Sequence, residues 1–300
     1  MKTLVTGVFP LTPQRREALE EMGLELTFHQ DERVAVEAPE RFEAVICNGL
    51  FTFQDIRMFT SLRYIQLTSA GFDRVPMDYC RAHGIRVENA RDVYSVPMAE
   101  YALWGVLTLY KQGRFFGENQ KAHRWEKHRG LLELAGKTVC IIGCGSVGSE
   151  CAKRFEAFGC HVLGVATNAR EQAHFEQVYS MERLHEVLGQ ADVAVLALPL
   201  TAQTRGLLDS RAFDAMKPGA VMVNIARGAI VDTPALLEAL EKKLGGAVLD
   251  VFEEEPLPEN SPLWDKENVI LTPHNSFVGE NNQSRLARCV LANLKAELKL

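Results

Sequence analysis

No stretch of this 300-residue chain approaches the roughly 20 consecutive apolar residues that a helix needs to cross a bilayer. No run of Lys or Arg marks a nucleic-acid-binding face. Neither a membrane nor a nucleic acid is therefore expected as a partner. The seven cysteines (Cys47, Cys80, Cys140, Cys144, Cys151, Cys160 and Cys289) are odd in number, form no CxxC pair and sit in apolar strand or helix contexts. That pattern argues against a disulfide framework and for reduced, mostly buried thiols in a cytoplasmic protein. The opening MKTLVTGVFPLTPQRREALEE has only a short apolar run and no small-residue cleavage site, so a secretory leader is not expected. Metal-ligand spacing is missing as well. His123 and His128 in AHRWEKH are five apart and share a helix face poorly, and no other cluster has ligand spacing.

What remains is an ordinary globular composition, 47% apolar and 24% charged with a net charge of −6, long enough for one large domain or two medium ones. Short apolar runs alternate with amphipathic stretches. MKTLVTGVF, LELTF, EAVICN, RYIQLTS and IRVEN read as strands within the first 90 residues, and PQRREALEEMG reads as a helix ending at Gly23. A long apolar helix follows from Pro97, then a charged, aromatic-bearing segment, GRFFGENQKAHRWEKHRG. The second series has six strands: KTVCIIG, CHVLGVA, ADVAVLALP, GAVMVNIA, GGAVLDVF and NVILTP, with helices between them. Strand–helix alternation of this kind predicts an α/β protein with two doubly wound parallel sheets. The expected division is residues 1–96 with 276–300 as one domain and 97–275 as the other, the final polar helix packing back onto the first.

Between the strand KTVCII and the next helix lie Gly143, Gly145 and Gly148, a G-x-G-x-x-G turn. The first glycine permits the tight turn, the second lets a pyrophosphate approach the backbone, and the third lets helix and strand pack closely. The helix N-terminus adds free N–H groups and a positive dipole end. The motif alone is weak, but its strand–turn–helix–strand setting predicts a dinucleotide site. At the end of the second strand, where an acid usually holds the adenosine ribose, stands Ala166, followed by Thr167, Asn168, Ala169 and Arg170. Without the acid there is no repulsion of a 2′-phosphate, and the neighbours supply donors. NADP is the expected cofactor, with NAD as the alternative.

Three further stretches fall at strand ends: VNIARGAIVD at 223–232, LDVFEEEP at 249–256 and ILTPHNS at 270–276. Together with TSAGFDRV, YSVPMAEYAL, ELAGKTVCIIGCGSVG, LPLTAQT and MKPGAVMVNIARG, in that order along nearly the whole chain, they resemble the D-isomer-specific 2-hydroxyacid dehydrogenase family. The resemblance implies a flavodoxin-like substrate domain and a Rossmann domain with the active site in the cleft between them. It also implies reduction of a small 2-keto acid to the D-2-hydroxy acid, and the reverse.

By the same matching, Arg227 is the substrate-binding arginine, and His274 with Glu255 forms the acid/base pair. Glu253 and Glu254 lie as close in sequence, and the residues alone do not choose among the three acids. Ser146 and Val147 are implied at the pyrophosphate, Leu198, Pro199 and Thr204 on the adenosine side, and Ile225, Ala226 and Asp250 at the nicotinamide. Asn48, Gly49 and Leu50 match the segment whose backbone N–H groups receive the substrate carboxylate. Glu255 argues against the family's formate-oxidising branch, which carries Gln there. A homodimer through the nucleotide domain is implied, with residues 112–135 as the contact. The rival reading is a dinucleotide-sensing, corepressor-like binding protein, which the same fold also serves.

Overall fold

The computed structural model describes all 300 residues, which divide into two compact units, Met1–Tyr94 with Gly279–Leu300 and Ser95–Val278. The chain order in the first stretch is β1 (Lys2–Thr6), α1 (Pro13–Glu21), β2 (Glu25–His29), β3 (Ala44–Cys47), α2 (Leu50–Phe53), β4 (Tyr64–Leu67), α3 (Met77–Ala82) and β5 (Arg86–Glu88). Then come α4 (Ser95–Tyr110), α5 (Gly113–Lys121), β6 (Thr138–Ile142), α6 (Ser146–Ala157), β7 (His161–Ala166), β8 (Gln177–Ser180), α7 (Leu184–Leu188) and β9 (Val193–Leu196). The chain closes with α8 (Ser210–Ala215), β10 (Val221–Asn224), α9 (Thr233–Lys242), β11 (Gly246–Leu249), β12 (Val269–Leu271) and α10 (Asn282–Leu298).

In the first unit five parallel strands run in the order β2-β1-β3-β4-β5. Alternate residues feed opposite faces of this sheet, as the pleat requires. Leu4, Val45, Cys47, Ile65 and Leu67 enter one core, whereas Val5, Ala44, Ile46 and Tyr64 enter the other. The second core is completed by Leu286, Val290 and Leu294, one apolar stripe of α10 at intervals of four. Fully burying each such side chain contributes about 1.5–3 kcal/mol, which is why the last helix belongs to this unit.

The second unit is a seven-stranded parallel sheet in the order β12-β11-β10-β9-β6-β7-β8. Cys140 and Ile142 face one core, and Val139 and Ile141 the other. The strand order reverses direction between β6 and β9, and ligands of such sheets bind beyond the carboxyl ends of the strands at that switch. The sequence predicts six strands here. The seventh, β8, is a four-residue edge strand with Gln177 exposed and the other three residues half-buried, so it lacks the continuous apolar run of its neighbours. Helix α5 also lies where the sequence shows only a charged segment.

Helix α4 lies close against β11 because Gly105 carries no side chain; a Cβ there would stand 2.5 Å from Val248 Cγ1 and 2.8 Å from its Cγ2. Gly105→Ala is expected to destabilise the protein by about 2 kcal/mol through overpacking. In a double-mutant cycle, adding Val248→Ala gives a loss smaller than the sum of the two single changes. Thermal melts check this, and additive losses would refute the contact.

Candidate active site

The glycine turn follows β6. Gly143 has φ +101°, and a Cβ on it would meet Ala197 O at 2.5 Å. Around Gly145 the space is open to 4 Å, leaving room for a ligand to approach the backbone. Gly148 sits 2.0 Å, measured from its would-be Cβ, from Gly143 O and 3.2 Å from Ile141 Cγ2, so helix and strand touch there. Helix α6 starts at Ser146 with no side chain capping its amides, so its free N–H groups suit a phosphate. Cys144 lies inside this turn, and burial pushes its thiol up to about 11. It therefore stays uncharged at neutral pH and adds no negative charge beside a pyrophosphate. These features fit a dinucleotide.

Ala166 is the last residue of β7, and Thr167, Asn168 and Arg170 follow as exposed residues of the next turn. Beyond β9, Leu198 is buried and Pro199 exposed. The Thr204 hydroxyl donates to Pro199 O at 2.7 Å and accepts from Thr201 N at 2.8 Å, so it closes its own turn.

Three strand ends carry the candidate chemistry. After β10, Ile225 and Ala226 are buried and Arg227 is half-buried in extended backbone. Its Nη1 donates to Ala226 O at 2.8 Å. This turn is clasped by Asn224, which is buried; its Oδ1 accepts from Ala226 N at 3.0 Å and its Nδ2 donates to Arg227 O at 3.1 Å. Gly228 must lack a side chain, because a Cβ would overlap Phe252 backbone at 1.8 Å. After β11, Glu255 accepts from Phe252 N at 3.0 Å through Oε1, which fixes the carboxylate, and its Oε2 lies 2.8 Å from His274 Nδ1. Of the three acids in sequence, Glu255 is thus the one paired to the histidine. A carboxylate only accepts, so Nδ1 carries the proton and Nε2 is left for another partner.

After β12, His274 has φ 52°, a left-handed conformation that costs a non-glycine residue about 1–2 kcal/mol. Asp250 holds it there. This fully buried carboxylate accepts from Thr272 Oγ1 at 2.7 Å, Asn275 N at 2.7 Å and Ser276 N at 2.9 Å, while its own main-chain oxygen accepts from His274 N at 2.8 Å. Phe277 packs edge-on against the imidazole, ring centres 6.1 Å apart. The family motifs imply only a nicotinamide contact for Asp250 and give no role to Asn224. A polar residue ending each of two apolar strands, VMVN and AVLD, was the available signal.

In the first unit one expectation needs correction. The N–H groups of Asn48 and Gly49, expected to receive a substrate carboxylate, are both taken by Glu32: Asn48 N donates to Oε1 and Gly49 N to Oε2, each at 2.7 Å. The acid lies 16 residues upstream of Asn48, in a polar loop where sequence spacing gives no hint of the contact. Leu50 is buried at the start of α2.

The family model described as D-isomer specific 2-hydroxyacid dehydrogenase, NAD binding domain, matches residues 103–276. The (S)-sulfolactate dehydrogenase of Chromohalobacter salexigens is 34% identical over 244 residues, covering 80% of this chain and 79% of that protein. The glyoxylate reductase of Pyrococcus furiosus is 34% identical over 245 residues, covering 78% and 72%. Among solved structures, an NADPH-dependent glyoxylate/hydroxypyruvate reductase from Sinorhizobium meliloti superposes with a TM-score of 0.81 at 27% identity, over 98% of this chain and 94% of that one. These relatives bear the names of dehydrogenases and reductases, not of sensors. The chain belongs to the D-isomer-specific 2-hydroxyacid dehydrogenase family, oxidoreductases that reduce 2-keto acids with NAD(P)H.

Proposed function

We propose that the preferred substrate is a small 2-keto acid of the glyoxylate or hydroxypyruvate type, that NADPH is the preferred donor, and that Arg227, Glu255 and His274 carry the reaction. The observation that carries this reading is the His274–Glu255 pair: with Nδ1 committed to Glu255, only Nε2 can face a reacting group. A bound nicotinamide supplies the hydride. Protonated His274 gives its Nε2 proton to the substrate oxygen as the carbonyl carbon is reduced, and is left neutral; solvent reprotonates it. Glu255 keeps the ring in the tautomer and orientation this needs. Arg227 has a planar fork suited to a carboxylate beside a carbonyl, binding the one and polarising the other.

The glycine turn, with Ser146 and Val147 at the uncapped start of α6, is the pyrophosphate site in this reading. Leu198, Pro199 and Thr204 flank the adenosine, and Ile225 and Ala226 the nicotinamide. Asp250 has used three of about four lone-pair directions and keeps one for the carboxamide. NADPH is favoured because no acid stands at Ala166 and Arg170 is near in sequence, and the Sinorhizobium meliloti relative is named as NADPH-dependent. The first unit would then be the substrate domain and the second the dinucleotide domain.

A homodimer fits the segment from α5 to Leu132. Phe116, Leu131 and Leu132 are exposed there and Trp125 is 99% exposed, an apolar set that a second copy would cover. The seven free cysteines suit a reducing, cytoplasmic setting.

Rates of nicotinamide absorbance loss with glyoxylate and hydroxypyruvate, run with NADPH and NADH in parallel, test the reading. Turnover favouring NADPH about tenfold is expected, and Ala166→Asp should shift the preference towards NADH; equal kcat/KM for the two donors would reject the cofactor assignment. His274→Ala should lose about 10²–10⁴-fold in kcat. Light scattering should give twice the chain mass of 33.5 kDa, and a monomer would remove the dimer.

A further inference from the structure

The first sheet has its own switch point, between β1 and β3, where its strand order reverses. In sheets of this order a ligand sits beyond the carboxyl ends of those two strands. In this protein a side chain of the chain itself sits there. Glu32, from the loop after β2, is buried with its carboxylate spanning the two strand ends. Its Oε1 accepts from Thr6 Oγ1, the last residue of β1, and from Asn48 N, the first residue after β3, both at 2.7 Å. Its Oε2 accepts from Gly49 N at 2.7 Å. All three donors are neutral. Burying a carboxylate among neutral groups is unfavourable unless its oxygens are bonded, and here three short hydrogen bonds meet that need. The loop carrying the acid is itself anchored, because Gln54 Nε2 donates to Glu32 O at 3.2 Å and to Val34 O at 2.8 Å. A Cβ on Gly49 would stand 3.2 Å from Thr52 Oγ1 and 3.5 Å from Glu32 Oε2, so the turn packs closely against both side chains.

We infer that Glu32 is a positioning residue for substrate binding: its carboxylate locks the Asn48–Gly49 turn and withdraws both amides from the substrate, so that the turn meets the substrate through side chains. One polar atom of the turn is buried without a hydrogen-bond partner, Asn48 Oδ1, and it can accept from a substrate hydroxyl such as that of hydroxypyruvate. The inference rests on the proposed 2-keto acid substrate and on its lying at this switch point, and the experiment separates that placement from the role of Glu32.

The purified enzyme is assayed for 2-keto acid reduction as wild type, Glu32→Ala, Glu32→Gln and Asn48→Ala, with melting temperature recorded for each. Glu32→Ala removes the lock and leaves a carboxylate-shaped gap at two amides. It should raise KM for the keto acid about tenfold, with kcat and KM for NADPH within about twofold, the split expected when binding rather than chemistry is perturbed. Millimolar acetate should lower that KM again, and acetamide should not. Glu32→Gln, which keeps the shape but points an N–H group at one amide, covers the case in which the alanine variant does not fold. It should raise KM about threefold, with no response to acetate. If Asn48→Ala raises KM while neither Glu32 variant does, the turn touches substrate and the role of Glu32 is refuted. Unchanged KM in all variants refutes both the contact and the inference. Parallel losses of kcat, cofactor affinity and melting temperature, unresponsive to acetate, reduce Glu32 to a structural residue.

Discussion

The Asp250 carboxylate is the interaction on which the candidate site depends. A bare buried carboxylate is heavily penalised, and this one is stabilised only because the loop after β12 folds back to give it two amides and a hydroxyl. The loop in turn can hold His274 at positive φ only because those bonds outweigh the local strain. With the backbone fixed, the imidazole meets Glu255, whose own carboxylate is held by Phe252 N in the segment after β11. The His274–Glu255 pair is thus the end of a chain of bonds that begins in the core.

The same device recurs in the first unit. There Glu32 gathers a hydroxyl and two consecutive amides at the switch point of a different sheet. In both places an acid with no cationic donor turns loop amides inward and decides which groups of the loop remain for a ligand. At Asp250 what remains is the imidazole Nε2; at Glu32 it is the Asn48 side chain. Parallel sheets bring several strand ends to one edge, and the amides beyond those ends need acceptors. A buried acid satisfies them and makes a flexible turn rigid.

Much of this was legible in the sequence. Every strand with a continuous apolar run is present, and the glycine turn has the three environments its spacing implied: a tight corner, an open approach and a helix–strand contact. The order of motifs named the family and singled out Glu255 and His274, which the structure pairs. Less was legible where local pattern is weak. Strand β8 is a half-buried edge, and α5 lies in a charged stretch. Glu32 and Asn224 act through the backbone of other residues, and no spacing rule reports a side chain that bonds an amide 16 residues away. The motifs imply Asp250 at the nicotinamide but not its hold on the His274 loop, because its three donors come from the neighbouring strand's loop.

The most direct test of this account is kcat for Asp250→Asn in protein that remains folded by circular dichroism. The substitution keeps the volume, removes the charge and points an N–H group at one of its donors. The account predicts a loss of at least about 10²-fold, the scale associated with a misplaced general acid, although the residue donates no proton itself. A kcat within about threefold of wild type would contradict it, since His274 would then be held in place by something other than Asp250.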